Sequence, residues 1–180
     1  MKKHLTQTIE IPEGVEATLE EELFTVKGPE GENKRKFNFE NLDVKKNGSK
    51  IIIENKKANK RDKRMMNTIA ARMRNMIKGV QEKWEYKLKV CSSHFPISIK
   101  QEGRRIEVKN FLGEKIPRNL EIPEGVDVRI DRDIITLTSI DKELTGQAAA
   151  NFEAATKIRG RDKRVFQDGI WITHKAGREM

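Results

Sequence analysis

Ile9-Glu10-Ile11-Pro12-Glu13-Gly14-Val15 returns 111 residues later as Leu120-Glu121-Ile122-Pro123-Glu124-Gly125-Val126. The likeness continues beyond the quoted stretch. Val15, Ala17 and Leu19 alternate with polar residues as Val126, Val128 and Ile130 do. Glu20-Glu21-Glu22 stands where Asp131-Arg132-Asp133 stands, and Phe24 and Val26 match Ile135 and Leu137. Alternation of this kind is the mark of a half-buried strand. Pro-Glu-Gly supplies one turn, because proline fixes φ and glycine tolerates positive φ. The charged triplet supplies a second, exposed turn. Each copy therefore reads as a short antiparallel meander, and two copies point to a duplicated small domain rather than a solenoid, which needs three or more repeats.

Helices follow in each half. Met66, Ile69, Met73, Met76/Ile77 and Val80 keep the i, i+3, i+7 spacing of one helical face. Leu144, Ala148, Phe152, Ala155 and Ile158 make a second stripe, with Asp141 as its N-cap. The Met stripe is core packing rather than a cofactor site. Gly79 and Gly160 are the expected C-terminal stops. Three hairpins are expected. The first turns at Asn47-Gly48 between Val44 and Ile51, a strong type I′ signal. The second turns at Glu102-Gly103. The third spans Val165 to Ile172, turning at Asp168-Gly169. The expected fold class is α+β: two tandem domains of the same fold by internal duplication, residues 1–82 and 83–180. Each has short antiparallel β-sheets packed on one α-helix.

Composition sets limits on function. The chain has 180 residues, a net charge of +9 and 36% charged residues, against about 25% in an average soluble domain. Apolar residues reach 36%, enough for two small cores. No run approaches the roughly 18 apolar residues that span a bilayer. The start, Met1-Lys2-Lys3-His4-Leu5, has no apolar signal region. The single cysteine, Cys91, leaves no internal disulfide and no Cys-based zinc cage. A soluble cytoplasmic protein with an anionic partner, nucleic acid before membrane, is the expectation.

No catalytic constellation is legible. His4, His94 and His174 are scattered and show no metal-ligand spacing. Cys91 is read as the end of a strand, with His94 the one local base. Asp131 and Asp133 resemble a metal-binding pair, but their counterparts Glu20-Glu21-Glu22 mark the position as a repeated exposed turn. Gly28-Pro29-Glu30-Gly31 lacks the Lys-Ser/Thr of a phosphate loop and is read as a turn. No enzyme activity, metal, cofactor or small-molecule substrate is expected.

The charge is concentrated instead. Residues 56–64 hold Lys56, Lys57, Lys60, Arg61, Lys63 and Arg64 against Asp62, a net +5. Residues 157–164 hold Lys157, Arg159, Arg161, Lys163 and Arg164 against Asp162, a net +4. Together they equal the charge of the whole chain, so the remainder balances to zero. The runs lie 100 residues apart, outside the 111-residue register, and are read as independent patches. Arginine forks bind phosphate bidentately, and RNA recognition leans on phosphates, shape and 2′-hydroxyls. Phe166 and Trp171 could stack a base; core packing is the expected role for both. Residues 9–32 hold eight Glu and one Lys, a face for solvent or protein partners rather than RNA.

Three stretches together resemble the archaeal and eukaryal branch of the large-subunit ribosomal protein six family. They are Gln147 through Ile172, the Ile-Pro-Glu-Gly-Val opening, and Thr25-Val26-Lys27-Gly28-Pro29-Glu30-Gly31-Glu32. The resemblance implies two domains of one α+β fold and binding to large-subunit rRNA. It implies that the C-terminal copy is the main anchor, near the sarcin–ricin loop and the stalk base where translational GTPases dock. Neighbouring ribosomal proteins are the implied protein partners, and a cytoplasmic, ribosome-bound location follows. Carried onto this chain, the signature falls on Lys157, Arg159, Gly160, Arg161, Lys163, Arg164, Phe166, Asp168 and Gly169. The chain departs from it at Ala154, where Gln is common, at Trp171, where Tyr is common, and at Glu30, where Lys is usual. The competing expectation is an RNA-binding regulator that works off the ribosome.

Overall fold

The computed structural model describes residues 3–162 and 164–180. Contacts gather the chain into two compact units, one ending at Lys83 and one beginning at Trp84. The first contains β1 (Lys3–Glu10), β2 (Glu16–Glu20), β3 (Leu23–Gly28), β4 (Gly31–Lys36), β5 (Asp43–Asn47), β6 (Lys50–Ala58) and α1 (Lys60–Gln81). The second contains β7 (Trp84–Cys91), β8 (Ser98–Glu102), β9 (Arg105–Lys109), a single 3-10 turn at Phe111–Gly113, β10 (Arg118–Glu121), β11 (Asp127–Asp131), β12 (Ile134–Ser139), α2 (Lys142–Ala155), β13 (Gly169–Lys175) and β14 (Arg178–Glu179). Each unit is two small antiparallel sheets around one helix. The α+β class and its duplication are as the sequence reading expects.

The repeat is real but reordered. Strands β2 and β3 recur as β11 and β12 at a shift of 111, and the turn residues Glu21 and Arg132 take matching φ of 49° and 52°. Strands β5 and β6 begin again 55 residues later, as β8 and β9, with Gly48 and Gly103 at φ 58° and 61° in the two turns. Sheet order β1-β6-β5 returns as β10-β9-β8, and β2-β3-β4 as β11-β12-β7. Even the register is kept: Ile9 opposite Ile51 becomes Leu120 opposite Ile106. The second unit thus visits the same strand positions in a different order. A single shift finds half of the duplication, and it leaves the two basic runs at unrelated places.

Alternation carries the cores. Phe24, Val26, Ile51, Ile53, Met73 and Val80 are fully buried in the first unit; Leu88, Ile106, Ile135, Leu137, Phe152 and Ile170 are in the second. The Met stripe of α1 is buried as read. Its N-terminus is closed by a capping box: Asn59 accepts from the N–H groups of Arg61 and Asp62, and Asp62 accepts from the N–H of Asn59. Gly79 does not end this helix. It is buried inside it, and the end is closed by N–H donation from Glu30 to Val80 and from Glu82 to Lys78. That first donor comes from the Gly28–Gly31 turn, which lies against the helix. The second helix also departs from its expected stripe. Leu144 is exposed, and Thr145, Ala148, Ala149 and Phe152 face inward. Thr145 can turn in because its hydroxyl donates to the carbonyl of Asp141, the N-cap.

The third expected hairpin, at 165–172, does not exist. Asp168 points inward, 1% exposed, instead of standing at a turn tip. Its Oδ1 accepts from the N–H of Ser93 at 2.6 Å and of His94 at 3.0 Å, and its Oδ2 from His94 Nδ1. Gly169 then opens β13, which pairs with β7 and turns back to β14 at Ala176-Gly177. At the other end of this segment α2 stops at Thr156, whose Oγ1 accepts from the N–H of Ile170. Gly160, at φ 68°, lies four residues past that stop and turns the following loop. Ile158 is buried, so Lys157 and Arg159 on either side of it are turned outward.

Two outcomes follow. A Cβ at Gly28 would lie 2.7 Å from the Val80 carbonyl oxygen. Gly28→Ala should lower stability by about 1–3 kcal/mol, as overpacking does, read as a drop in thermal midpoint. Burial raises the Asp168 pKa, but hydrogen bonds from His94 and Ser93 outweigh it, and the net value is lowered. The stability this contributes is complete above the unfolded value of about 3.9. It is lost as pH falls through the lower folded value. Asp168→Asn should therefore be less stable than the native protein at pH 7, with the gap closing as thermal melts are taken below pH 4, at roughly the unfolded value.

Candidate nucleic-acid interface

The C-terminal basic segment is a loop pinned at three points, Thr156, Ile158 and Asp168, with its cations on the outside. Lys157, Arg159, Gly160, Arg161 and Arg164 are all exposed. Lys163, the remaining cation of the run, lies outside the described residues. Within the loop, the N–H groups of Val165 and Phe166 donate to the carbonyl of Asp162, making a tight turn. Phe166 is half-buried. His94 stacks on it at 4.8 Å between ring centroids, and the Arg161 guanidinium lies 4.8 Å from its ring centre. The buried carboxylate of Asp168 thus holds an imidazole, the imidazole supports a phenyl ring, and the ring supports a guanidinium. Asp168 and Gly169 belong to this scaffold and do not face outward.

The cations are not equivalent. Arg164 is forked onto Asp162, with its Nη2 2.7 Å from Oδ2, and these hydrogen bonds hold the Asp162 carboxyl below its usual range. Such an exposed pair opens easily to a competing anion. Lys157 and Arg159 have no carboxylate partner among the described residues. Arg161 lies near Glu114. The Glu114 pKa is lowered, first by the hydrogen bond from Arg118, against an opposing burial effect, with smaller contributions from the charges of Arg118 and Arg161.

Arg118 is the residue that sequence reading missed. From β10 it donates to the carbonyls of Ala155 at 2.8 Å and Lys157 at 3.2 Å, which are orphan acceptors at the end of α2. It also grips Glu114 with two nitrogens and lies 4.2 Å above the centre of the Phe111 ring. Nothing in its local sequence distinguishes it from the other arginines; its role comes from the strand that carries it. Trp171 is a second surprise. It is 47% exposed, not part of the core.

The first basic run is split by the fold. Lys56 and Lys57 end β6, Asn59 caps, and Lys60, Arg61, Lys63 and Arg64 form the opening turns of α1; all six cations are exposed. Asp62 is consumed by the capping box. The helix continues the charge with Arg72, Arg74 and Lys78. Arg61, Arg64 and Arg72 line a groove with Lys36 at the end of β4. The charged triplets at 20–22 and 131–133, the second with Arg132 at its centre, are exposed turns. Among the described residues no group of three His, Cys, Asp or Glu side chains gathers to hold a metal ion. No helix there is long and apolar enough to cross a membrane.

The sequence profile described as Ribosomal protein L6 matches residues 11–83 and again 95–169. The chain is 43% identical over 171 residues to the large ribosomal subunit protein uL6 of Methanobrevibacter smithii, covering 95% of this chain and 96% of that one. It is 42% identical over 177 residues to the protein of the same name from Methanocella arvoryzae, covering 98% and 100%. With two profile matches laid over two units of one fold, and relatives aligned along nearly their whole length, the chain belongs to the ribosomal protein L6 family.

Proposed function

We propose that this chain is a structural constituent of the large ribosomal subunit, working ribosome-bound in the cytoplasm. It is anchored to large-subunit rRNA near the sarcin–ricin loop and the stalk base. The observation that carries the reading is the segment 157–166. It presents Lys157, Arg159 and Arg161 to solvent on a backbone fixed from three sides. A pinned backbone loses little freedom on meeting phosphates, and each phosphate neutralised releases counterions. The chain is read as domains 1–82 and 83–180, the second being the main RNA-binding copy. Lys163 belongs to the same anchor by its place in the run.

The run at 56–64 is a secondary surface for the RNA backbone. The acidic strands of the first unit face neighbouring ribosomal proteins, and translational GTPases dock nearby. The family names carried by the relatives support the assignment to the large subunit. The chain's role is to hold RNA shape; no catalytic step is assigned to it.

The test is a salt titration of binding between the full chain and an rRNA fragment spanning the sarcin–ricin loop and stalk base. Arg159→Ala with Arg161→Ala should weaken binding and lower the slope of log K against log salt by roughly 0.7–0.9 per lost phosphate contact. A double variant with an unchanged slope overturns the anchoring. Arg164→Ala, whose guanidinium is already forked onto Asp162, should cost less than Arg159→Ala in the same assay.

A further inference from the structure

We propose that a groove beside the basic loop is a binding site for one unpaired RNA base, which stacks on Trp171. The proposal rests on the RNA-anchoring reading above and adds a sequence-tolerant contact to it. The groove has a volume of 820 Å³ and lies between the end of α2 and β13, lined by Trp171, Lys157, Ala150, Ala154, Glu153 and Gln167 among others. That volume is in the range of pockets that hold small planar ligands.

Three features make it a base site. First, Trp171 is exposed but not loose. Its Nε1–H donates to the carbonyl of Gln167 at 3.2 Å. A Cβ at residue 169 would meet that nitrogen at 3.4 Å, and Gly169, at φ 151°, leaves the space clear. The indole is thus preset as a platform, and stacking on an aromatic platform is how proteins hold unpaired bases. Second, the rim is cationic. Lys157 lines the groove, and Lys89 stands opposite Trp171 in the β7–β13 register. Both are exposed, placed for the phosphates flanking a base. Third, the wall offers an edge to read. Glu153 spends one oxygen, Oε1, on the N–H of Ile172 at 3.1 Å. Its other oxygen can accept from an exocyclic amino group, which adenine, cytosine and guanine have and uracil lacks.

Ala154 and Trp171 both line the groove. The small side chain leaves the space beside the indole open. A neighbouring protein's apolar side chain would gain nothing from the cationic rim or from Glu153.

The experiment uses the full chain with adenylate and uridylate hexamers at low salt, read by anisotropy of labelled RNA and by tryptophan emission. Trp84 is buried under the Lys142 amine, so contact quenching reports Trp171. The adenylate hexamer should quench emission. Trp171→Ala should weaken its binding roughly five- to hundred-fold, the range of one lost base stack, without changing the salt slope. Trp171→Phe should recover much of the affinity, which separates stacking from a folding defect. Glu153→Gln should reduce the preference for adenylate over uridylate. Binding seen by anisotropy with no change in emission, or Trp171→Ala binding within two-fold of the native chain, overturns the base site and leaves the anchoring intact. No binding of either hexamer at low salt overturns the base site, while the anchoring stands or falls on the rRNA-fragment titration.

Discussion

A carboxylate that never reaches the surface holds the basic surface in place. Asp168 accepts two backbone N–H groups and an imidazole from the chain that follows β7, across more than seventy residues of sequence. Remove that acceptor and Ser93 and His94 lose partners, His94 loses its orientation, and the Phe166 ring loses the support on which Arg161 rests. Buried carboxylates are costly unless every lone pair is matched. Here the matching groups come from one short loop, so satisfying the charge also fixes where the loop and the basic segment meet. Asp168 is read from sequence as a residue of the RNA site; it is 1% exposed, and its carboxylate is bound to Ser93 and His94.

The same division of labour recurs along the segment. Thr156, Ile158, Arg118 and Gly169 face inward or spend their polar groups on backbone, while Lys157, Arg159 and Arg161 stand out. Rigid backbone beneath mobile, solvated charges lets a short segment meet a phosphate chain with little further ordering. Arg118 is the instructive case. It is a cation close to the anchor, but its donors go to the end of α2 and to Glu114, so its charge is part of the scaffold. Counting positive residues in a run passes it over, because its strand lies outside both runs.

Much of this was legible in sequence, for physical reasons that can be named. Alternation exposed the strands, because a half-buried strand must alternate, but Pro-Glu-Gly does not turn a meander: it passes the chain from β1 or β10 in one sheet to β2 or β11 in another. The Met stripe exposed α1, because a helix buries one face. The reordered strands were hidden, since a search at one offset sees one block of the repeat and the second block is displaced by another. Gly79 misled because a helix end can be closed by a neighbouring turn as well as by a left-handed glycine. Asp168-Gly169 misled more deeply: Asp-Gly signals a turn when the Asp is solvated, and here it is buried. Leu144 failed because small residues let α2 approach its sheets closely, so its buried face is set by Ala148, Ala149 and Phe152.

Strand β13 has a consequence in time as well as in space. It is the element that closes the basic loop, and it pairs with β7 at the opposite end of its unit, Gly169 lying opposite Cys91. Such long-range pairings form late, after hairpins and helices that need only local chain. During synthesis the loop and its arginines leave the ribosome before the strand that shapes them does. Until β13 pairs, those charges belong to a flexible polycation that attracts any nucleic acid weakly. Once it pairs, they become a fixed pattern. The order of the chain thereby delays that pattern until the unit that carries it is closed.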